Sequence, residues 1–423
     1  MIRPAMIPRL SAVLSGFLFL FACTGTPQKL PESKVFTGLD RANEYRQLFK
    51  GKRVGIVTNH TAYNSHHQYI TDVFLGMENV TIRALFGPEH GIRGSAEAGA
   101  RVQSGSDLLR NIPIYSLYGR TRKPTPEMLQ DVDILIFDIQ DIGARFYTYV
   151  STMAYAMTAA AEQGIPFVVL DRPNPINGVM VEGNILESEF ASFVGLFPIP
   201  VRHGMTVGEL AKMFNDEGWL QNSVKANLII IPMKNWRRGM WYDETGLPFI
   251  KPSPNIPELA SATVYPGTCL LEGTNVSEGR GTSKPFQIFG APWIDGTKLA
   301  EQLNALQLEG VVFQDTSFTP LSISGVASHP KYENRMCFGV KIIVTDRNRF
   351  QPYHTGIHIV NTIYRMYPDS LKWRTQHFDR LCGTASVRKA ILNGTDMKHL
   401  FAAWQRELND FLKKRQTYLL YRN

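Results

Sequence analysis

Val132-Asp133-Ile134-Leu135-Ile136-Phe137, followed by Tyr149–Gln163 and then by Phe167-Val168-Val169-Leu170, decides the fold of this chain. The first and last segments are short and almost continuously apolar, the pattern of strands covered on both faces. Between them Ala154, Ala156 and Ala159 to Ala161 give a helix of high propensity, which Gly164 closes. A strand, a helix and a second strand of these lengths make one crossover unit of a parallel sheet. The alternation extends toward the amino terminus. Val54–Thr58, Val80–Phe86 and Ile112–Leu117 read as strands, with helical stretches at Gln68–Met77 and from Pro126 to Asp131. The expectation is a doubly wound α/β domain over residues 35–249, with its strand order left open by the pattern.

These strands end in polar residues, and in open sheets of this kind ligands bind outside the carboxyl ends of the strands. Leu85-Phe86-Gly87-Pro88 stops abruptly in Glu89-His90-Gly91. A carboxylate and an imidazole there can both reach a ligand and exchange protons near neutral pH. Thr58 leads into Asn59-His60, Phe137 into Asp138-Ile139-Gln140-Asp141, and Leu170 into Asp171-Arg172-Pro173-Asn174-Pro175. The first strand is followed by Asn59-His60-Thr61-Ala62-Tyr63-Asn64 and not by a glycine-rich phosphate turn, so no cofactor is expected. His60, His90, Asp138 and Asp141 lack the close spacing of metal ligands, and no metal site is expected either.

From about residue 250 the texture changes. Lys251-Pro252-Ser253-Pro254-Asn255-Ile256-Pro257 resists regular structure and opens a second, smaller α+β domain over residues 250–423. Thr268–Leu271 and Gly339–Thr345 read as strands; Lys298–Leu306, Gly356–Tyr367 and Met397–Lys414 read as helices. The richest segment is Glu272-Gly273-Thr274-Asn275-Val276-Ser277-Glu278-Gly279-Arg280-Gly281-Thr282. Its glycines permit close backbone approach to a ligand, and its carboxylates, Asn275 and Arg280 offer the polar contacts that a hydroxyl-rich ligand needs. Tyr118, Tyr147, Tyr149 and Trp293 lie near polar loops, where packing is the default role for each.

At the amino terminus Arg3 and Arg9 flank or precede an apolar stretch, Leu10–Phe21, too short to span a bilayer. It ends in Leu20-Phe21-Ala22-Cys23, which resembles the bacterial lipobox, with Phe21 where a small residue is usual. Residues 1–23 are therefore expected to be a lipoprotein signal, Cys23 the lipidated residue and 24–34 a tether. That places the protein outside the cytoplasm, membrane-anchored in the cell envelope, in the periplasm or at the cell surface. Cys269, Cys337 and Cys382 are odd in number and lack CxxC spacing, so no disulfide framework is expected. The formal charge of +8 on 423 residues is spread without the basic and aromatic block of a nucleic-acid binder. Nothing marks an obligate protein partner.

Thr58-Asn59-His60, Gly87-Pro88-Glu89-His90-Gly91, Phe137-Asp138-Ile139-Gln140-Asp141-Ile142-Gly143, Asp171-Arg172-Pro173-Asn174-Pro175 and Ser277-Glu278-Gly279-Arg280-Gly281-Thr282 together resemble the exo-β-N-acetylmuramidase family, NamZ-like proteins long catalogued as a domain of unknown function. The resemblance runs from about Gly38 to the carboxyl end. It implies a Rossmann-like domain joined to a smaller one, a site in the cleft between them, and peptidoglycan-derived muramyl saccharides as substrate. A glycosidase usually needs two carboxyl groups. On this reading Glu89 is the first catalytic choice, Glu278 its partner ahead of Asp138, and Glu272 a further candidate. Asn59, His60, His90, Asp141, His203 and Asn275 are candidates for orienting the carboxyls or binding sugar. Arg202 and Arg280 are candidates for the lactyl carboxylate of muramic acid, because a guanidinium grips a carboxylate in two places. Two other functions compete: a metal-assisted ester or phosphate hydrolase, and a non-catalytic lipoprotein that binds cell-wall sugar.

Overall fold

The computed structural model describes Met1 and residues 34–100, 103–107 and 111–422. The expected signal beyond Met1, Cys23 as the expected lipidation site, and the expected tether up to residue 33 lie outside the described residues. Lys34–Asn423 forms one compact unit. Among the described residues no helix is long and apolar enough to cross a membrane.

Its strands are β1 (Arg53–Thr58), β2 (Thr81–Gly87), β3 (Gly105–Asp107), β4 (Ile112–Ser116), β5 (Ile134–Asp138), β6 (Phe167–Leu170), β7 (Glu182–Ile185), β8 (Pro200–Arg202), β9 (Leu228–Ile231), β10 (Ile288–Ala291), β11 (Val311–Phe318) and β12 (Cys337–Val344). Seven of them make the main sheet, in the order β3-β4-β2-β1-β5-β6-β9. All its pairings are parallel except that of the edge strand β3 with β4. The chain builds outward from β1 through β2 to β4, then returns to β5 on the other side of β1. This is the doubly wound order with its reversal between β1 and β5.

Alternate side chains explain why the strands read as continuous apolar runs. Val57, Phe137, Phe167 and Val169 enter the larger core on one face, with Met153 and Met157 of the helix Tyr149–Glu162. Ile56, Leu85, Ile136 and Val168 enter a second core on the other face, with Phe49 and Phe74. Each such side chain, fully buried, contributes about 1.5–3 kcal/mol.

The carboxyl-terminal part carries a three-stranded antiparallel sheet, β10-β12-β11. Thr268–Leu271 is not the expected strand. Leu259–Thr268 is an α-helix and Cys269–Gly273 continues it as a 3-10 turn. A short apolar run bears no periodicity that separates strand from buried helix. The helix Leu259–Thr268 crosses the helix Pro352–Met366 at a pair of glycines. A Cβ on Gly267 would stand 1.9 Å from the Pro352 carbonyl oxygen, and one on Gly356 2.4 Å from the Gly267 carbonyl oxygen. The larger core runs without a break from the main sheet into Phe289, Tyr353, Ile357 and Trp404. Cys269, Cys337 and Cys382 are free, buried thiols.

Candidate active site

A cleft of about 610 Å³ opens beyond the carboxyl end of β2, walled on its other side by the segment Glu272–Arg280 and by residues 326–331 and 374–381. Its polar lining includes Glu89, His90, Tyr118, Thr148, Glu272, Glu278, Arg280, Lys331 and His377.

Glu89 sits where β2 stops. Gly87-Pro88 breaks the strand, and His90 takes a left-handed backbone with φ of 70°, uncommon for a residue with a side chain. The chain then curls back, so that the Gly99 N–H donates to Glu89 Oε1 at 3.0 Å. Thr148 Oγ1 donates to Glu89 Oε2 at 2.7 Å. The Tyr118 hydroxyl shares the cleft with Glu89; burial, then the carboxylate's charge, pushes this phenol above its ordinary value, so it stays protonated. His90 Nδ1–H donates to the Ala96 carbonyl at 2.6 Å, and burial holds the imidazole below its ordinary value. The ring is therefore neutral, and its Nε2 carries the lone pair.

The opposite wall is a chain of ion pairs. Arg280 donates to Glu272 Oε1 at 2.6 and 3.1 Å and stands 3.3 Å from Glu278 Oε1. Lys331 Nζ donates to Glu278 Oε2 at 2.9 Å and to the Leu271 and Val276 carbonyls. Burial alone would raise the Glu272 carboxyl, but the Arg280 charge and His377 override it and hold the group at about 2. Glu97, a fourth carboxylate, lies at the rim and accepts from the Ser328 backbone N–H. Glu89 and His90 thus meet Glu272, Glu278 and Arg280 across one space, although nearly two hundred residues separate them in the chain.

The other expected site residues do not line this cleft. Asp138 is wholly buried, and both its oxygens accept from Arg172, the Nη2 contact at 2.9 Å. The structure pairs this catalytic candidate with Arg172 and does not bring it to the cleft. The Asn59 side chain turns back to accept from Thr61 N–H and Oγ1 at 3.0 and 2.6 Å. His60 Nε2–H donates to the Lys251 carbonyl at 2.8 Å, with its ring packed against Gly94. Asp141 accepts from the Gly143 N–H at 2.7 Å beneath the sheet end, and burial raises its carboxyl to about 7. Arg202 is buried under Trp241 and donates to the Ile176 carbonyl. His203 is also wholly buried, accepts from the Met205 N–H, and is pushed by burial down to about 3. Asn275 ties two loops together through Ser370 and Lys372. Asx turns and buried pairs use the same residue types as sites do, and spacing alone does not separate them. Among the described residues, no three His, Cys, Asp or Glu side chains gather as a metal would need.

Two family models cover the chain. One, exo-β-N-acetylmuramidase NamZ, N-terminal, matches residues 54–260; the other, exo-β-N-acetylmuramidase NamZ, C-terminal, matches 263–421. The chain belongs to the NamZ family. The peptidoglycan β-N-acetylmuramidase NamZ of Bacillus subtilis (strain 168) is 49% identical over 419 residues, covering 97% of this chain and 99% of that protein. Two crystal structures of DUF1343 family proteins from Bacteroides fragilis NCTC 9343 share the fold. One superposes with a TM-score of 0.84 at 38% identity, over 92% of this chain and 99% of its own; the other with 0.75 at 35%, over 92% and 100%. In this NamZ-family chain both matched regions contribute to the cleft, Glu89 and Thr148 from the first, Glu272 and Lys331 from the second.

Several cleft residues of the NamZ-family chain carried no local signal. Lys331, His377 and Arg380 reach the cleft from segments without a motif. Thr148 reads as an ordinary helix start. Tyr118 had a signal: like Glu89 it follows directly on a strand end.

Proposed function

We propose that the protein is an exo-acting glycoside hydrolase that releases β-1,4-linked N-acetylmuramic acid from the non-reducing ends of peptidoglycan fragments, with Glu89 as its acid/base carboxyl. The observation that carries the role of Glu89 is a difference in partners. Glu272 and Glu278 are each held by cations, whereas the donors on Glu89 among the described residues, the Gly99 N–H and the Thr148 hydroxyl, are neutral. A group that must give and take a proton works best without a fixed cation on it. Glu278, held at the opposite wall, is on this reading the carboxylate that answers the positive charge developing on the sugar.

The lactyl carboxylate of muramic acid calls for a guanidinium. Arg202 is buried elsewhere and Arg280 already serves Glu272 and Glu278, so the reading passes to Arg122 and Arg380. Both are exposed on the cleft, Arg122 lying 4.5 Å from the centre of the Phe193 ring. The name of the Bacillus subtilis relative supports the same substrate. Envelope localisation through a lipid on Cys23 is part of the proposal; Cys23→Ser is expected to move the protein from the membrane fraction to the soluble one.

The test is hydrolysis of 4-nitrophenyl β-N-acetylmuramide, with and without chelator, beside the Glu89→Gln variant. Turnover indifferent to chelator and lost in the variant is the expected result. Binding of the sugar without turnover in the parent protein would return the chain to the role of a wall-binding lipoprotein.

A further inference from the structure

The two oxygens of Glu89 face unlike partners. Oε1 meets the Gly99 N–H, which can only donate. Oε2 meets the Thr148 hydroxyl, which can donate or accept as it rotates. A proton on Oε1 would confront the N–H; on Oε2 the donor among the described residues is a hydroxyl that can turn away. Thr148 is also the residue immediately before the helix Tyr149–Glu162, where a threonine side chain ordinarily caps the first turn. Here its backbone is already helical, with φ −68° and ψ −9°, it makes no cap bond, and its hydroxyl reaches Glu89 instead. The helix start it leaves uncapped favours negative charge nearby, and Thr148 itself is buried.

We propose that Thr148 is a positioning residue for the reaction, selecting Oε2 of Glu89 as the oxygen that delivers the proton and stabilising the carboxylate left behind. The inference rests on the reading of Glu89 as the acid/base carboxyl. In the step it serves, the bond between the anomeric carbon and the glycosidic oxygen breaks, its electron pair goes to that oxygen, and the anomeric carbon carries the positive charge until an oxygen nucleophile, in the end water, bonds to it. The Oε2–H bond breaks as the proton joins the same oxygen. The Thr148 O–H then donates to Oε2, whose new negative charge it shares with the Gly99 N–H.

The experiment compares Thr148→Val, Thr148→Ser and Glu89→Gln in the purified protein, with kcat and KM on 4-nitrophenyl β-N-acetylmuramide and the melting temperature of each. Thr148→Val is expected to lower kcat about 100-fold, the scale of a small misplacement of a reacting group. Its KM and melting temperature should stay near those of the parent, because no cap is lost. Thr148→Ser keeps the hydroxyl and should restore most of kcat. A melting temperature that falls in Thr148→Val while kcat holds would make Thr148 a structural residue and overturn the inference. So would Thr148→Ser as slow as Thr148→Val. If Glu89→Gln abolishes turnover while Thr148→Val is fully active, the inference fails and the reading of Glu89 survives. If Glu89→Gln itself turns over at the parent rate, the reading of Glu89 fails first.

Discussion

Glu89 and Asp138 stand at the ends of β2 and β5, the two neighbours of β1, and their surroundings make opposite use of the same chemical group. Asp138 lies at the reversal of strand order, the position where doubly wound folds commonly bind ligands. Here Arg172 fills that position from the end of β6, and the Thr58 hydroxyl donates to the Asp138 carbonyl. Glu89 lies one strand pair away, half-buried at the mouth of an open cleft, and its donors among the described residues carry no charge. On the proposed reading, a strand-end carboxylate without a counter-charge becomes a site and one that has a counter-charge becomes a rivet.

The sharpest way to break this comparison is to neutralise each carboxyl in turn. Glu89→Gln is expected to lower kcat by about 10²–10⁴-fold, the usual worth of acid–base assistance, with the melting temperature unchanged. Asp138→Asn is expected to do the reverse. It leaves Arg172 buried without its counter-ion, at a cost of about 3–5 kcal/mol in denaturant unfolding, while the folded fraction keeps the parent kcat. Loss of activity in Asp138→Asn at unchanged stability would erase the distinction. Replacing both members, Asp138→Leu with Arg172→Leu, should cost less than Asp138→Asn alone, since no charge is then stranded. On the cleft's other wall, Arg280→Met leaves Glu272 and Glu278 with one cation fewer; a loss of about 2 kcal/mol is expected, measured by urea unfolding.

A smaller effect tests the buried carboxyls that have neither cleft nor full ion pair. Burial raises both Asp141 and Glu182 to about 7. Between about pH 4 and pH 7 the folded protein then holds protons that the unfolded chain releases, so stability falls as pH rises through that window. One such group contributes at most about 1.4 kcal/mol per pH unit. Asp141→Asn should flatten the decline in melting temperature over this range.

The doubly wound sheet was legible because strands buried on both faces write unbroken apolar runs, and the runs at 54–58, 134–137 and 167–170 did so. β9 carries an apolar run as continuous as that of β6, so the same signal was there to be read, whereas Thr268–Leu271 was misread because burial erases periodicity. Within the site, Glu89, His90, Glu272, Glu278 and Arg280 were visible as polar residues crowded among glycines. Asp138, Asp141, Arg202 and His203 looked the same in sequence. What separates them is whether a partner arrives from far along the chain, as Arg172 does for Asp138. Lys331 and His377 were illegible for the same reason: they are local to nothing they touch.

The glycine crossing of Leu259–Thr268 over Pro352–Met366 fixes the footing of one cleft wall. The two backbones touch there, and Cys269–Gly273 continues the first helix directly to Glu272. A methyl group added at Gly267 or Gly356, neither of which lines the cleft, would prise the helices apart and carry the Glu272 carboxylate with them, so a lesion behind the wall would be felt at its surface.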